Sequence, residues 1–164
     1  MLWQPAPIDP ADGSEVIMQG GSDRLRQEVS LAGATFSRSE RVALTAGRKG
    51  AWVIVLDFTL PRGYNRSHSD LAIQLPKAYP NVPPDGFFLD GGLRFHGGGV
   101  PHYFESGPVL AFRMQPPLQN RRDDGWAWAC LHIRQWRPAA SVVRGDSLVT
   151  VCRMASDALT RWVQ

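Results

Sequence analysis

The stretch "AWVIVLDFTLPRGYNRSHSDLAIQLPKAYPNVPPDGFFLD", residues 51–90, decides the fold class. It opens on a run rich in β-branched and aromatic residues, 51–60, of the kind that fits a pleated, half-buried surface. "LPRGYN" then reads as a Pro/Gly turn. In "HSDLAIQLP" the alternation puts Leu71, Ile73 and Leu75 on one face of a second strand. "KAYPNVPP" follows, and its prolines remove ladder donors and preset φ. That segment is therefore an ordered extended loop leading into a short strand, "GFFLD" at 86–90.

Working outward, "ERVALTAG" at 40–47 is a further β-rich run. The turn "GRKG" at 47–50 joins it to residues 51–60, which predicts a hairpin. Before it, "SDRLRQEVSLAG" at 22–33 reads as a short helix. Ser22 or Asp23 caps it, Gly33 stops it, and Leu25, Val29 and Ala32 form its apolar stripe. Residues 1–21 hold three prolines and several glycines and read as an extended arm. On the other side, about 91–125 is an irregular, glycine-, proline- and charge-rich insert with one strand, "PVLAFRM" at 108–114. Loops of that length in a compact domain are often functional. At the C-terminus Leu148, Val151, Ala155, Ala158, Leu159 and Trp162 recur at helical spacing, with Asp146 as the expected N-cap. The order gives an α+β class: one domain over 22–164, an antiparallel meander with flanking helices.

Composition narrows the function classes. With 164 residues, 43% hydrophobic and only 20% charged, the chain can bury a substantial core. The net charge of +3 is mildly basic. The arginines are scattered from Arg24 to Arg161, with only Arg121 and Arg122 adjacent, which argues against specific nucleic-acid recognition. Lys49 and Lys77 are the only lysines. Arginine-rich composition accounts for this; protection of the chain's own amines from acyl transfer is the functional counterpart. No run approaches a membrane span, and the first residues lack the basic and apolar regions of a signal peptide. A soluble, cytoplasmic protein is expected.

Only Cys130 and Cys152 are present, too few for a disulfide framework. Cys152 falls on the apolar stripe of the last helix and reads as core. Cys130 lies in "WAWACLHIRQWRP", residues 126–138, where Trp126 and Trp128 alternate as on a strand approaching it. It could be core filling, half of a disulfide, a metal ligand or a nucleophile. His132, two residues on, shares its face if the segment is extended, and its unperturbed pKa near 6.5 suits proton transfer. A zinc site from Cys130, His132 and Cys152 fits no paired-ligand spacing and lacks a fourth ligand, so no metal is expected. A papain-like or serine-type catalytic set cannot be placed either.

The chain resembles the ubiquitin-conjugating enzymes. "AYPNVPP" after three strands is similar to their Tyr-Pro-x-x-Pro-Pro element. "CL" followed by "WRPA" is similar to their active-site cysteine and Trp-x-Pro-Ala segment, in the family's order. Residues 57–90 with the later "WRP" resemble most the prokaryotic branch known as family E, over about residues 35–160. The resemblance implies a ubiquitin-conjugating fold with a remodelled active-site loop. It makes Cys130 a thioester carrier for a ubiquitin-like protein received from an activating enzyme and passed to an amine of a target protein. No cofactor is needed, because ATP is consumed at the activating enzyme. It further implies a bacterial conjugation operon serving antiphage defence, with a JAB-type deconjugating protease.

The sequence departs from the eukaryotic pattern in two ways. The His-Pro-Asn tripeptide, whose asparagine supports the oxyanion, is absent, and the interval from Tyr79 to Cys130 is considerably longer. Asn120 can supply an amide, or its segment "LQNRRDDG" is simply a solvated loop. His132 matches a histidine placed just after the cysteine, and His96 and His102 are further candidates. Two other classes stay open: a noncatalytic module of the same fold that binds a ubiquitin-like protein, and a basic scaffold binding nucleic acid in a salt-sensitive way that survives Cys130→Ala.

Overall fold

A computed structural model describes residues 22–47, 50–101 and 126–164. The arm 1–21, the 108–114 strand, His102 and Asn120 lie outside them. The described elements are α1 (Ser22–Phe36), β1 (Val42–Gly47), β2 (Gly50–Thr59), β3 (His68–Gln74), β4 (Gly86–Asp90), β5 (Trp126–Cys130) and α2 (Leu148–Trp162). The five strands form one sheet in chain order, every neighbouring pair antiparallel. This is the α+β meander the alternation predicts.

Period-2 alternation divides the sheet into two faces. Val53, Val55, Leu71, Ile73, Phe87, Leu89 and Ala129 point into the main core with Leu25 and Ala32 of α1 and Leu148, Val151, Cys152, Ala155 and Leu159 of α2. Each fully buried aliphatic or aromatic side chain there contributes about 1.5–3 kcal/mol of transfer free energy. The intervening residues Trp52, Ala72, Phe88, Trp126 and Trp128 form a second buried cluster, with Ile54 and Cys130 packed against it. The thiol thus belongs to the aromatic face, away from the two helices.

The structure corrects two boundaries. Gly33 does not end α1, which continues one turn to Phe36, where the ring stacks on Phe58 at 5.7 Å between centroids. A Cβ at Gly33 would lie 3.1 Å from Val42 and 3.2 Å from the Glu40 carbonyl. That glycine therefore serves close packing of α1 on the chain that follows. Asp146 does not cap α2. Ser147 does, accepting from the Val149 N–H, while its own N–H donates to Thr150 Oγ1 at 3.1 Å. The Asp146 carboxylate is occupied instead by the Arg137 N–H at 2.6 Å.

Between β2 and β3 the register slips between Val55 and Phe58, and Asp57 there has φ of +50°. The bulge holds because the Asp57 N–H donates to Asp70 Oδ1 at 2.9 Å and its carbonyl accepts from Arg38 N–H at 3.0 Å. Tyr64, inside the predicted Pro/Gly turn, is a core residue. Its hydroxyl donates to the Leu159 carbonyl at 2.8 Å, bolting the turn to α2. Among the described residues, no helix is long and apolar enough to cross a membrane.

Candidate active site

Cys130 is the last residue of β5 and stands opposite Gly86, the first residue of β4. One further bond, from the Leu131 N–H to the Asp85 carbonyl at 2.9 Å, extends the pairing, and the chain then leaves the sheet. This fixes the backbone on both sides of the thiol. Cys130 is half-buried and His132 is exposed. Their Sγ and Nδ1 atoms lie 3.7 Å apart, within reach of a hydrogen bond to sulfur. Cys130, named through the resemblance, and His132, named by its spacing from it, are therefore adjacent in space. His96 is exposed on the loop after β4, where its backbone N–H donates to the Gly63 carbonyl at 2.9 Å, and its ring has no bond to either of them.

The coil after Cys130 is held from below by the proline-rich element. Trp136 donates its indole N–H to the Pro80 carbonyl at 2.6 Å, and its ring lies 6.2 Å from that of Tyr79. The Tyr79–Pro80 peptide is cis. Tyr79 in turn donates its hydroxyl to Glu28, whose side chain is fully buried. The same carboxylate accepts from Arg24 Nε at 2.6 Å and from the Leu148 N–H at 3.0 Å. Arg24 also reaches the Ala139 and Asp146 carbonyls. One carboxylate thereby joins α1, the proline-rich element and the start of α2. Burial, and then the bond to Glu28, hold the Tyr79 phenol far above its ordinary range, so it stays a donor.

Neither Glu28 nor Arg24 was singled out from the sequence. A signal was present: Glu28 lies three residues after Leu25 and four before Ala32, inside the apolar stripe, where an unpaired carboxylate would be costly. Gly86 gave no such signal, since a glycine opening a strand is unremarkable in composition alone.

The two thiols differ sharply. Cys152 is closed to solvent in the main core, and burial pushes its thiol up to about 12. It stays protonated and out of reach. Cys130 has an imidazole beside it and an open side. Such a pair can exchange a proton and present sulfur to a carbonyl carbon. Among the described residues, no three His, Cys, Asp or Glu side chains converge as metal ligands.

The model of prokaryotic E2 family E matches residues 38–161, and the chain belongs to that family. No curated protein and no solved structure matches it. The five-stranded antiparallel sheet with its two helices is compatible with the ubiquitin-conjugating fold. Family membership implies a ubiquitin-conjugating-like function in general terms, with a ubiquitin-like protein and an activating enzyme as interaction partners.

Proposed function

We propose that Cys130 carries a ubiquitin-like protein as a thioester and delivers it to an amine of a target protein. The observation that supports this most is the 3.7 Å approach of His132 Nδ1 to Cys130 Sγ at the end of a strand, with the only other thiol sealed in the core. In the loading step His132 takes the thiol proton, sulfur attacks the thioester carbonyl on the activating enzyme, and the enzyme's own thiolate leaves. In delivery the target amine attacks the Cys130 thioester. The N–C bond forms, the C–S bond breaks, and the electron pair leaves on sulfur. The amine proton passes to His132 and from it to the Cys130 thiolate, which restores the starting state.

On this reading the protein works in the bacterial cytoplasm, within a conjugation operon serving antiphage defence, where a JAB-type protease reverses the modification. It needs no cofactor of its own. The noncatalytic binding module is the second reading, favoured by the missing His-Pro-Asn tripeptide.

A charging assay separates them. The protein is mixed with ATP and with the ubiquitin-like protein and activating enzyme encoded beside it, then run on nonreducing and reducing gels. The carrier gives an adduct that thiol reductant removes and that Cys130→Ser lacks. His132→Ala slows its formation by roughly 10²-fold, the usual contribution of a positioned base. If the activating enzyme charges but no adduct forms on this protein, the binding module is the better reading.

A further inference from the structure

The aromatic face holds a second group that the mechanism has not used. Trp128 and Cys130 are two residues apart on β5 and so project from the same side of the sheet. Trp128 is 96% buried, at 4% relative exposure. Its indole N–H has no acceptor among the described residues, whereas Trp136 satisfies its own on Pro80. Of the other members of its cluster, Trp52, Ala72, Phe88, Trp126 and Ile54 carry no side-chain acceptor, and Cys130 carries only a weak one, its sulfur. A buried donor without a partner is uncommon in folded proteins and calls for a reason.

Its location supplies one. A Cβ placed on Gly86 would come within 2.8 Å of Trp128 Cε2 and Cζ2 and 2.3 Å of the Ala129 carbonyl oxygen. Cε2 is the ring carbon bonded to Nε1. Only a glycine at 86 lets the nitrogen-bearing edge of the indole settle there, and Gly86 is the residue directly across the sheet from Cys130. The nitrogen-bearing edge of this buried indole therefore lies over Gly86, next to the thiol-bearing position on the same face of the sheet.

We infer that Trp128 is a catalytic residue for acyl transfer, its N–H donating to the carbonyl oxygen of an acyl group on Cys130. This rests on the carrier reading and adds to it. When an amine attacks the thioester carbon, the carbonyl π pair moves onto oxygen, and the indole N–H stabilises that oxyanion. When the oxyanion collapses, the C=O bond re-forms and the C–S pair leaves on Cys130. The donor needs no reorganisation during the step, and a low-dielectric site strengthens the bond. It does the work for which the absent His-Pro-Asn asparagine would be required.

The test uses the full chain and a small probe. Cys130 is loaded with a glycine-terminated peptide aryl thioester, and discharge to excess L-lysine is followed by intact mass spectrometry. Wild type, Trp128→Phe and a chain with 3-benzothienylalanine at 128 are compared; the last keeps the bicyclic shape and carries sulfur in place of the N–H. Both replacements should slow loading and discharge by about 10²–10³-fold, the range for loss of one oxyanion donor. Alkylation of Cys130 by iodoacetamide forms no oxyanion and should be unchanged. In the wild type the Trp128 indole ¹H–¹⁵N resonance should move downfield on loading.

Discharge at the wild-type rate from the benzothienyl chain would overturn the assignment and leave the carrier reading standing. So would Asn120→Ala slowing transfer while both Trp128 replacements do not. A loaded wild-type chain that discharges no faster than a loaded cysteine peptide would instead overturn the carrier reading, and the role of Trp128 with it.

Discussion

Cys152 lies on the inward stripe of α2 with Leu148, Val151, Ala155 and Leu159, and its thiol is pushed up to about 12 by burial. Ionising it in the folded state would place a thiolate among aliphatic groups. Reagent access and thiolate population both fail there, whereas Cys130 is half-exposed with an imidazole at 3.7 Å. At pH 8 the folded protein should therefore take up one carbamidomethyl group from iodoacetamide, at Cys130. Cys130→Ser should take up none until denaturant is added, and then one, at Cys152. A native-state adduct on Cys152 by mass spectrometry would contradict this separation. The proximity of Cys130 to His132 was legible in the sequence because it depends only on local chain direction: two residues apart on an extended segment share a face. Trp128 was legible as a strand residue, but the seat of its indole was not, because that depends on Gly86, which lies far away in the chain.

At the scale of elements, the same distinction between local and distant causes decides what could be read. Strands β1, β2 and β4 follow from β-rich runs between turn signals, β3 and β5 from period 2, and the stripe of α2 from period 3.6, all of which are local. The end of α1 does not, because Phe36 earns its last turn by stacking on Phe58. Two capping residue types stand side by side at 146 and 147, and only the Arg137 N–H that claims Asp146 shows which one caps α2. Tyr64 and Glu28 were passed over for the same reason, since their partners Leu159, Tyr79 and Leu148 come from distant segments. The Glu28 cluster is the joint between elements and has a measurable consequence. Glu28→Ala leaves the Leu148 N–H, the Tyr79 hydroxyl and much of Arg24 without a partner. Breaking such a pair from one side should cost about 3–5 kcal/mol. A urea titration of the variant checks it, and a loss below about 1 kcal/mol, the net value of an ordinary hydrogen bond, would show that the joint is dispensable.

At the scale of the whole molecule, three protons among the described residues are held tightly by burial, and they bear on how the fold responds to alkali. The Tyr64 phenol is pushed up from 10.0 to about 12, the Cys152 thiol from 9.0 to about 12, and the Tyr79 phenol higher still. Each is neutral when protonated, and in the unfolded chain each ionises near its ordinary value. Between about pH 9 and 12 the unfolded state has released protons that the folded state keeps. Fewer protons bound in the unfolded state means that stability falls as pH rises. The contribution is complete below pH 9 and is lost progressively through the folded values. Two of the groups are bolts between segments, Tyr64 to α2 and Tyr79 to Glu28, so their ionisation also removes hydrogen-bond donors from these joints. The urea midpoint should hold steady from pH 7 to 8.5 and fall steadily to pH 11. Tyr64→Phe isolates one share of this. It should begin about 1 kcal/mol less stable, from the lost bond to the Leu159 carbonyl, and should then lose less than the wild type between pH 9.5 and 11. A wild-type midpoint that stays level to pH 11, or a Tyr64→Phe profile parallel to it, would mean that these protons do not govern the alkaline limit of the fold.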